Sequence, residues 1–223
     1  TLHGTPQFGP GVYGEAMEFG GDDYVTIDGY KGVLGTDPWS VTAWFKTTTT
    51  DTLALISWGT AANGQRIEVR TINGVMRANH GAGNVNTATA VNDGEWHHIA
   101  LTTIANAFCQ YPDMIFYLDG QDDTVPSTDT DPPFNIVATA DVGIGYRSTH
   151  DDRFWDGAID DVRMFDKVLT PEEVLESMES GGEPYPFASS PDPADGALIE
   201  STWVNLAWSP GGLAVSHDVY PVS

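Results

Sequence analysis

The chain has 223 residues, enough for one large domain or for one medium domain with part of another. Asp and Glu number 32 against 9 Lys and Arg, and the resulting net charge of -23 disfavours nucleic acids and anionic membranes as partners. The single cysteine, Cys109, excludes a disulfide within the chain, and no apolar run is long enough to predict membrane insertion.

Short alternating runs separated by turns predict an all-β structure. Residues 39–46 (WSVTAWFK) alternate, and we expect Trp39 and Phe45 to face a core that also contains Trp96. Asn73-Gly74 is typical of a two-residue hairpin turn. Because no helical pattern interrupts these runs, we predict a two-sheet antiparallel β-sandwich, or jelly roll. The predicted strands are 39–46, 53–58, 66–72, 75–78, 96–104, 114–118, 142–145 and 158–165.

One short helix is predicted after the last of these strands. Thr170-Pro171-Glu172-Glu173 forms a capping box with proline at the first helical position, and Gly181-Gly182 marks the end. Proline and small polar residues then indicate a linker over 183–195. Residues 196–223 resume the alternation but are too few for a core of their own, so we predict the truncated start of a second β-domain. The predicted division is therefore 1–182, 183–195 and 196–223.

Four segments, taken in order, resemble the concanavalin A-like lectin/glucanase superfamily in its laminin-G-like branch. The resemblance covers residues 1–182 and implies two antiparallel sheets, often a structural calcium ion, and ligand binding at loop rims or on the concave sheet. The tail, Ser190 to Tyr220, is similar to the start of a fibronectin-type-III module. The four segments are 14–25 (GEAMEFGGDDYV), 94–100 (GEWHHIA), 116–120 (FYLDG) and 155–165 (WDGAIDDVRMF).

The resemblance also implies where calcium would bind. It brings Gly20 and Asp22, after an early strand, beside Asp160 and Asp161 of the last long strand. Calcium takes six to eight oxygen ligands, which backbone carbonyls and one or two carboxylates can supply. Asp160 and Asp161 point to opposite faces of the strand, so we expect Asp22 and Asp160 to share the ion with a carbonyl near Gly20. The alternative is that Asp22 belongs to a turn and one of the paired aspartates is solvated. Relatives often carry Phe-Asp-Gly where this chain has Phe19-Gly20-Gly21.

Catalytic patterns are missing from the sequence. Glycosidases need two carboxylates about 5–5.5 Å or about 6.5–9.5 Å apart. Glucanases of the family that this chain resembles usually carry them as Glu-x-Asp-x-x-Glu on one strand, and that spacing does not occur here. His97 and His98 are adjacent on a strand, so their rings diverge and predict no zinc site. We therefore predict that the chain is not an enzyme.

Ligand binding is predicted at the loop over 145–155, which combines aromatic and cationic side chains. The alternative is that its aromatic residues cap the core and its arginines pair with nearby aspartates. We predict a calcium-stabilised recognition module, binding carbohydrate or an extracellular protein, within a longer bacterial protein that is secreted or displayed on the cell surface. The competing hypotheses are a structural spacer without a small ligand and a glycoside hydrolase of the same fold. The candidate ligand residues are Tyr146, Arg147, His150, Arg153 and Trp155.

Overall fold

The chain folds into two compact units, Thr1–Gly181 and Gly182–Ser223. The computed structural model describes residues 1–81, 83–103, 113–125, 127, 134–137 and 139–180, together with the backbone of 189–192 and 207–209. Cys109 lies outside the described residues. The first unit contains an eight-stranded and a seven-stranded antiparallel sheet and one short helix, which confirms the predicted all-β sandwich.

The eight-stranded sheet combines strands from the whole length of the first unit. Its central hairpin turns at Asn73-Gly74 as predicted, with both residues at positive φ. In spatial order the strands are β1 (Leu2–His3), β4 (Tyr24–Ile27), β14 (Ala140–Ile144), β6 (Ala54–Gly59), β7 (Arg66–Ile72), β8 (Val75–Asn79), β9 (Val85–Ala90) and β13 (Thr124–Val125).

The seven-stranded sheet brings the early and late parts of the unit side by side, as the resemblance implies. Its last long strand pairs with an early one, and Asp156 lies opposite Gly20. In spatial order the strands are β12 (Gln121–Asp122), β11 (Met114–Leu118), β10 (His97–Thr103), β5 (Ser40–Lys46), β15 (Asp156–Phe165), β3 (Glu15–Gly20) and β2 (Gln7–Pro10).

The core lies between the two sheets and is rich in tryptophan. Trp39 and Phe45 are fully buried, as their alternation predicts, and Trp39 meets Trp58 of the other sheet edge to face at 5.0 Å. Trp96 is only half-buried and lies under the Lys46 ammonium, 5.1 Å from the ring centroid, so the expectation that it joins the core is wrong. Its ring is held at the rim by a cation–π contact instead.

The helix α1 (Pro171–Glu179) covers the outer face of the seven-stranded sheet. The predicted capping box is present, because the Glu173 amide donates to Thr170 Oγ1 and the Thr170 amide donates to the Glu173 carboxylate. Ser177 and Thr42 of β5 are buried against each other with their hydroxyls 3.0 Å apart. Among the described residues no helix is long and apolar enough to span a membrane.

The second unit contains a two-stranded antiparallel pair, β16 (Ser189–Asp192) and β17 (Ala207–Ser209). The first of these strands falls inside the predicted linker over 183–195, and the division of this part of the chain stays a prediction. The second lies within the alternating segment predicted over 196–223, whose other residues lie outside the described ones. The resemblance of the tail to a fibronectin-type-III module stays a prediction.

Candidate functional site

The loop that carries the predicted ligand residues lies flat on the outer face of the eight-stranded sheet. Ser57 is on this face because its neighbours Ile56 and Trp58 point into the core. The Ser57 hydroxyl donates to the Tyr146 carbonyl at 3.0 Å, and the Ser148 amide donates to the Ser57 hydroxyl at 2.8 Å. These bonds fix the start of the loop over β6.

Gly143 allows the loop to approach the sheet so closely. A Cβ at this position would lie 2.3 Å from Cε1 of Tyr146, too short for a real contact, and 3.0 Å from Cβ of Ser148, which is tighter than most real contacts. The missing side chain therefore creates the shallow space that the Tyr146 ring fills. This is a close-approach glycine, and any larger residue would lift the loop.

A buried carboxylate forms the centre of this face. Glu68 on β7 is fully buried, and both of its oxygens accept hydrogen bonds from arginines: Oε2 from Arg70 at 3.0 Å, and Oε1 from Arg153 of the loop. Burial raises the pKa of Glu68, while the positive charges of Arg153, Arg147 and Arg66 act in the opposite direction. The carboxylate thus ties the loop to the sheet through charge-assisted bonds.

Further arginines surround this carboxylate. Arg66 and Arg70 share its face because Ile67 and Val69 between them point into the core, and Arg77 of β8 lies directly opposite Arg70. Arg77 Nε donates to Asn86 Oδ1 at 2.7 Å, and Arg147 forms a two-pronged ion pair with Asp152. We name these residues the arginine cluster: Arg66, Arg70, Arg77, Arg147 and Arg153.

Stacked aromatic rings border the arginine cluster on its β4 side. The His3 and Tyr24 rings are parallel at 4.2 Å, and Tyr24 contacts Tyr146 at 4.0 Å between centroids. Phe154 stacks parallel to Tyr146 at 6.2 Å. Burial raises the pKa of Tyr146 to about 12, so its hydroxyl stays protonated at neutral pH. We name His3, Tyr24, Tyr146 and Phe154 the aromatic patch; all except Tyr146 are half-buried.

The structure therefore brings together four of the five predicted ligand residues. Tyr146, Arg147, His150 and Arg153 all lie over the same face, and His150 is exposed at the loop tip with Nδ1 2.8 Å from Thr149 Oγ1. The prediction that Trp155 contacts a ligand is wrong. Its side chain is 0% exposed and packs edge to face on Phe45, so it belongs to the core.

Sequence reasoning missed the part of the face that the sheet supplies. Arg66-Ile67-Glu68-Val69-Arg70 alternates charged with apolar residues, which places three charges on one face of a strand. The Asn73-Gly74 turn then fixes which residue lies opposite Arg70. With a two-residue turn, counting outward from Ile72 and Val75 reaches Arg70 and Arg77. The alternation and the turn are both visible in the sequence, and together they place Arg77 beside Arg70 on this face.

The residues predicted to bind calcium do not converge. Asp156 pairs with Gly20, and Asp160 lies four residues further along β15, about 13 Å away at the usual rise of a strand. Asp22 follows Gly20 beyond the end of β3 and is exposed. The register thus corrects the expectation that Asp22 and Asp160 share an ion.

The two aspartates of β15 that were predicted to bind calcium have other partners. The Asp160 carboxylate accepts from the Tyr13 amide at 3.0 Å, and Asp161 forms a two-pronged pair with Arg163. Asp23, the neighbour of Asp22, accepts hydrogen bonds from the Thr5 and Gly20 amides. Its carboxylate therefore holds the turn after β3 without an ion. No group of three or more His, Cys, Asp or Glu side chains that could hold a metal ion occurs among the described residues. Gly20, Asp22, Asp160 and Asp161 therefore do not fit a single calcium ion.

Comparison with known proteins shows which family and which solved structures share this architecture. A family model described as the concanavalin A-like lectin/glucanases superfamily matches residues 19–175. Among solved structures, the chain is similar to domain 4 of a GH43 extracellular arabinanase from Geobacillus stearothermophilus in complex with arabinotriose. The two are 19% identical, with a TM-score of 0.58, over 79% of this chain and 86% of that one.

Two other solved structures are similar at lower identity. CBM40 of the Ruminococcus gnavus IT-sialidase, bound to α2,3 sialyllactose, is 14% identical with a TM-score of 0.53 and covers 72% of this chain and 94% of its own. The binding domain of botulinum neurotoxin DC in complex with SialylT is 14% identical with a TM-score of 0.54, over 81% of this chain and 46% of that one. No curated protein matches the chain by sequence. At these identities the likeness shows the fold.

Proposed function

Because the chain belongs to the concanavalin A-like lectin/glucanases superfamily, we propose that it is a non-catalytic carbohydrate-binding module of a protein that acts outside the cell. The observation that carries the proposal is the outer face of the eight-stranded sheet, where the aromatic patch borders the arginine cluster. Binding sites for small polar molecules combine apolar surface with a few fixed polar groups in this way.

The aromatic patch suits the less polar face of a sugar ring. Tyr24 and Phe154 are half-buried, so each keeps part of its ring accessible while its neighbours hold it in place. Tyr146 beneath them is only 7% exposed and acts as their support. Rigid aromatic side chains provide contact area at a low entropic cost because few torsions must be fixed on binding.

The polar groups beside the patch suit sugar hydroxyls. The partly exposed Ser148 and Thr149 offer hydroxyls that both donate and accept, and Asn86 of β9 offers an amide at the far side of the arginine cluster. All of them are held by backbone of a sheet or of a loop bonded to it. Two of the similar structures, the arabinanase domain and CBM40, are complexes with oligosaccharides, which supports the same ligand class for this chain.

The way the carboxylates on this face are used supports the non-catalytic part of the proposal. Both oxygens of Glu68 accept from arginines, and Asp152 is held in two-pronged contact with Arg147. A glycosidase needs one carboxyl group free to give a proton and a second free to attack or to activate water. Neither carboxylate is available for these roles, so the face is suited to binding.

The test is binding of the purified protein to immobilised oligosaccharides, followed by calorimetry with the strongest ligand. We expect Tyr24→Ala to weaken binding at least tenfold, because it removes the central ring of the patch. Phe8→Ala is the matched control, since Phe8 is 58% exposed on β2 of the other sheet and should leave affinity unchanged. Circular dichroism would verify that both variants fold.

Two outcomes would overturn the proposal. If the folded protein bound no oligosaccharide on a broad array, the carbohydrate-binding function would be wrong and the spacer hypothesis would be favoured. If the protein bound but Tyr24→Ala and Phe8→Ala lost affinity equally or not at all, the binding face would lie elsewhere. Release of reducing sugar from any tested polysaccharide would contradict the non-catalytic assignment.

A further inference from the structure

Cations are concentrated on one face of a strongly acidic protein. The chain has 9 Lys and Arg against 32 Asp and Glu, yet the five residues of the arginine cluster all lie on the outer face of the eight-stranded sheet. The four other cations, Lys31, Lys46, Arg163 and Lys167, lie elsewhere in the first unit. Composition alone would scatter so few cations among the carboxylates.

Local carboxylates do not balance the charge of the cluster. Glu68 pairs with Arg70 and Arg153, and Asp152 pairs with Arg147. Arg77 donates to the neutral amide of Asn86, and Arg66 forms neither an ion pair nor a hydrogen bond with the described residues. Both guanidinium groups are half-buried, and neither forms an ion pair with a carboxylate in the part of the chain described, although the charge of Arg66 acts on Glu68 at longer range.

This arrangement is costly for the free protein. Arg70 and Arg77 are directly opposite each other on neighbouring strands, where like charges destabilise a sheet. Nε of Arg66 and of Arg70 is buried without a hydrogen-bond partner among the described residues, which costs desolvation. The backbone of Arg153 is held at φ 59, a left-handed conformation that residues other than Gly, Asn and Asp rarely adopt.

A ligand that brings negative charge to Arg66 and Arg77 would offset these costs. The planar guanidinium group matches the two-oxygen geometry of carboxylate and sulfate, and such bonds are about twice as strong as neutral ones. We propose that this module recognises acidic saccharides, in which carboxylate or sulfate groups contact Arg66 and Arg77, one group for each arginine, while the chain of sugar rings extends across the aromatic patch. The inference rests on the proposed carbohydrate-binding function and narrows its ligand class.

The experiment compares matched acidic and neutral ligands by calorimetry on the whole chain. The pairs are sialyllactose with lactose, oligogalacturonate with its methyl ester, and chondroitin sulfate oligosaccharides with their desulfated forms. The first two pairs test carboxylate and the third tests sulfate. We expect at least one acidic member to bind at least tenfold more tightly than its neutral partner, and its affinity to fall as salt is raised from about 0.05 to 0.5 M.

Two variants connect the preference to the cluster. Arg66→Gln should reduce the acidic-over-neutral ratio at least fivefold, and Arg66→Gln combined with Arg77→Gln should abolish it. Lys46→Gln removes the same charge from the other sheet, where Lys46 contacts Trp96, and should keep the ratio. Unchanged near-ultraviolet circular dichroism would show that the core is intact in all three.

The outcomes separate this inference from the proposed function. Equal or tighter binding of the neutral members, or a ratio that Lys46→Gln reduces as much as Arg66→Gln does, would overturn the inference and leave carbohydrate binding standing. Binding of no saccharide, acidic or neutral, would overturn both. A preference for acidic ligands that is lost with Arg66 and Arg77 would support both.

Discussion

Glu68 shows how a single residue organises the candidate site. It is the only charged side chain with no exposed surface among the described residues, and it holds one arginine from its own strand and one from the loop. A buried ion pair contributes little when complete, because desolvation opposes the Coulomb attraction. Its importance lies in position, since it joins the 146–155 loop to the sheet on which the loop lies.

Removing the charge of Glu68 should therefore destabilise the folded protein by more than the intact ion pairs stabilise it. In Glu68→Gln, Arg70 and Arg153 would both remain close together without a carboxylate, and we expect a loss of about 3 kcal/mol in the free energy of unfolding. Urea denaturation would measure it. Glu95→Gln is the matched control because Glu95 is exposed. A loss below about 0.5 kcal/mol for Glu68→Gln would show that the loop is held by other contacts.

His98 is the second residue whose environment makes a measurable prediction. It is 1% exposed on the outer face of the seven-stranded sheet, with its ring against Trp44 at 5.3 Å, while His97 points to the other face between Asp93 and Asp119. The predicted divergence of the two rings is thus confirmed. Burial lowers the pKa of His98 to about 4; the charge of Asp119 opposes this shift, and that of Arg163 adds to it.

The sign of the pH effect follows from that shift. Between pH 4 and 6.5 the unfolded chain binds a proton at this histidine that the folded protein does not, so stability rises with pH across this window. The slope from His98 alone is at most about 1.4 kcal/mol per pH unit. We expect His98→Asn to flatten the pH dependence of the unfolding free energy there, measured by urea denaturation. An equal slope in the variant would mean that other groups cause it.

His97 has the opposite sign and provides an internal control. Burial lowers its pKa, but the hydrogen bonds and the negative charges of Asp119 and Asp93 together raise it by more, so the net shift of the pKa is upward. Its contribution is complete below pH 6.5 and is lost as pH rises through the folded pKa. His97→Asn should therefore change the slope of the unfolding free energy against pH above pH 6.5. Below pH 6.5 the slope should stay as it is in wild type, because His98 causes it there.

At the scale of elements, the sequence predicted the parts that depend on local pattern. The strand 66–72 and the capping box at Thr170 were correct because alternation and caps are decided by neighbouring residues. The calcium pairing of Asp22 with Asp160 failed because it depended on register between strands distant in sequence. The prediction for Trp155 was wrong for a related reason. A residue just before a strand can point to either face of the sheet, and only packing decides which face it takes.

The helix cap can be tested on its own. Thr170 Oγ1 accepts from the Glu173 amide, so Thr170→Ala should lower the free energy of unfolding by about 1 kcal/mol. Thr50→Ala is the matched control, because Thr50 is exposed in a loop. Urea denaturation of both variants would measure the difference. Since the helix covers the sheet opposite the candidate site, ligand affinity should remain unchanged; a loss of affinity in Thr170→Ala would show that the two faces are coupled.

At the scale of the whole molecule, the net charge of -23 opposes folding because the compact state brings carboxylates together. The five charges of the arginine cluster relieve only a small part of this repulsion, because the chain has 32 Asp and Glu. The same acidity made calcium an attractive hypothesis from composition. Screening and a specific ion site would both raise stability when calcium is added, so the two causes need to be separated.

Melting at matched ionic strength separates them. Screening depends on ionic strength, with a Debye length of about 10 Å at 0.1 M, so raising NaCl from about 0.02 to 0.3 M should raise the melting temperature by several degrees. A bound ion instead acts at its dissociation constant, adding stability in proportion to the logarithm of its concentration. Calcium at about 1 mM in 0.3 M NaCl, compared with EGTA in the same salt, reports binding alone.

The register of β3 and β15 makes a definite prediction for this comparison. Because Asp160 lies about 13 Å along β15 from the residue opposite Gly20, and Asp22 follows beyond Gly20, any difference between calcium and EGTA should be the same in wild type, Asp22→Asn and Asp160→Asn. Loss of a calcium-dependent shift in both variants would mean that these carboxylates share an ion and that the register is wrong. A shift that both variants keep would assign calcium to other oxygens, and screening would account for the rest of the salt dependence.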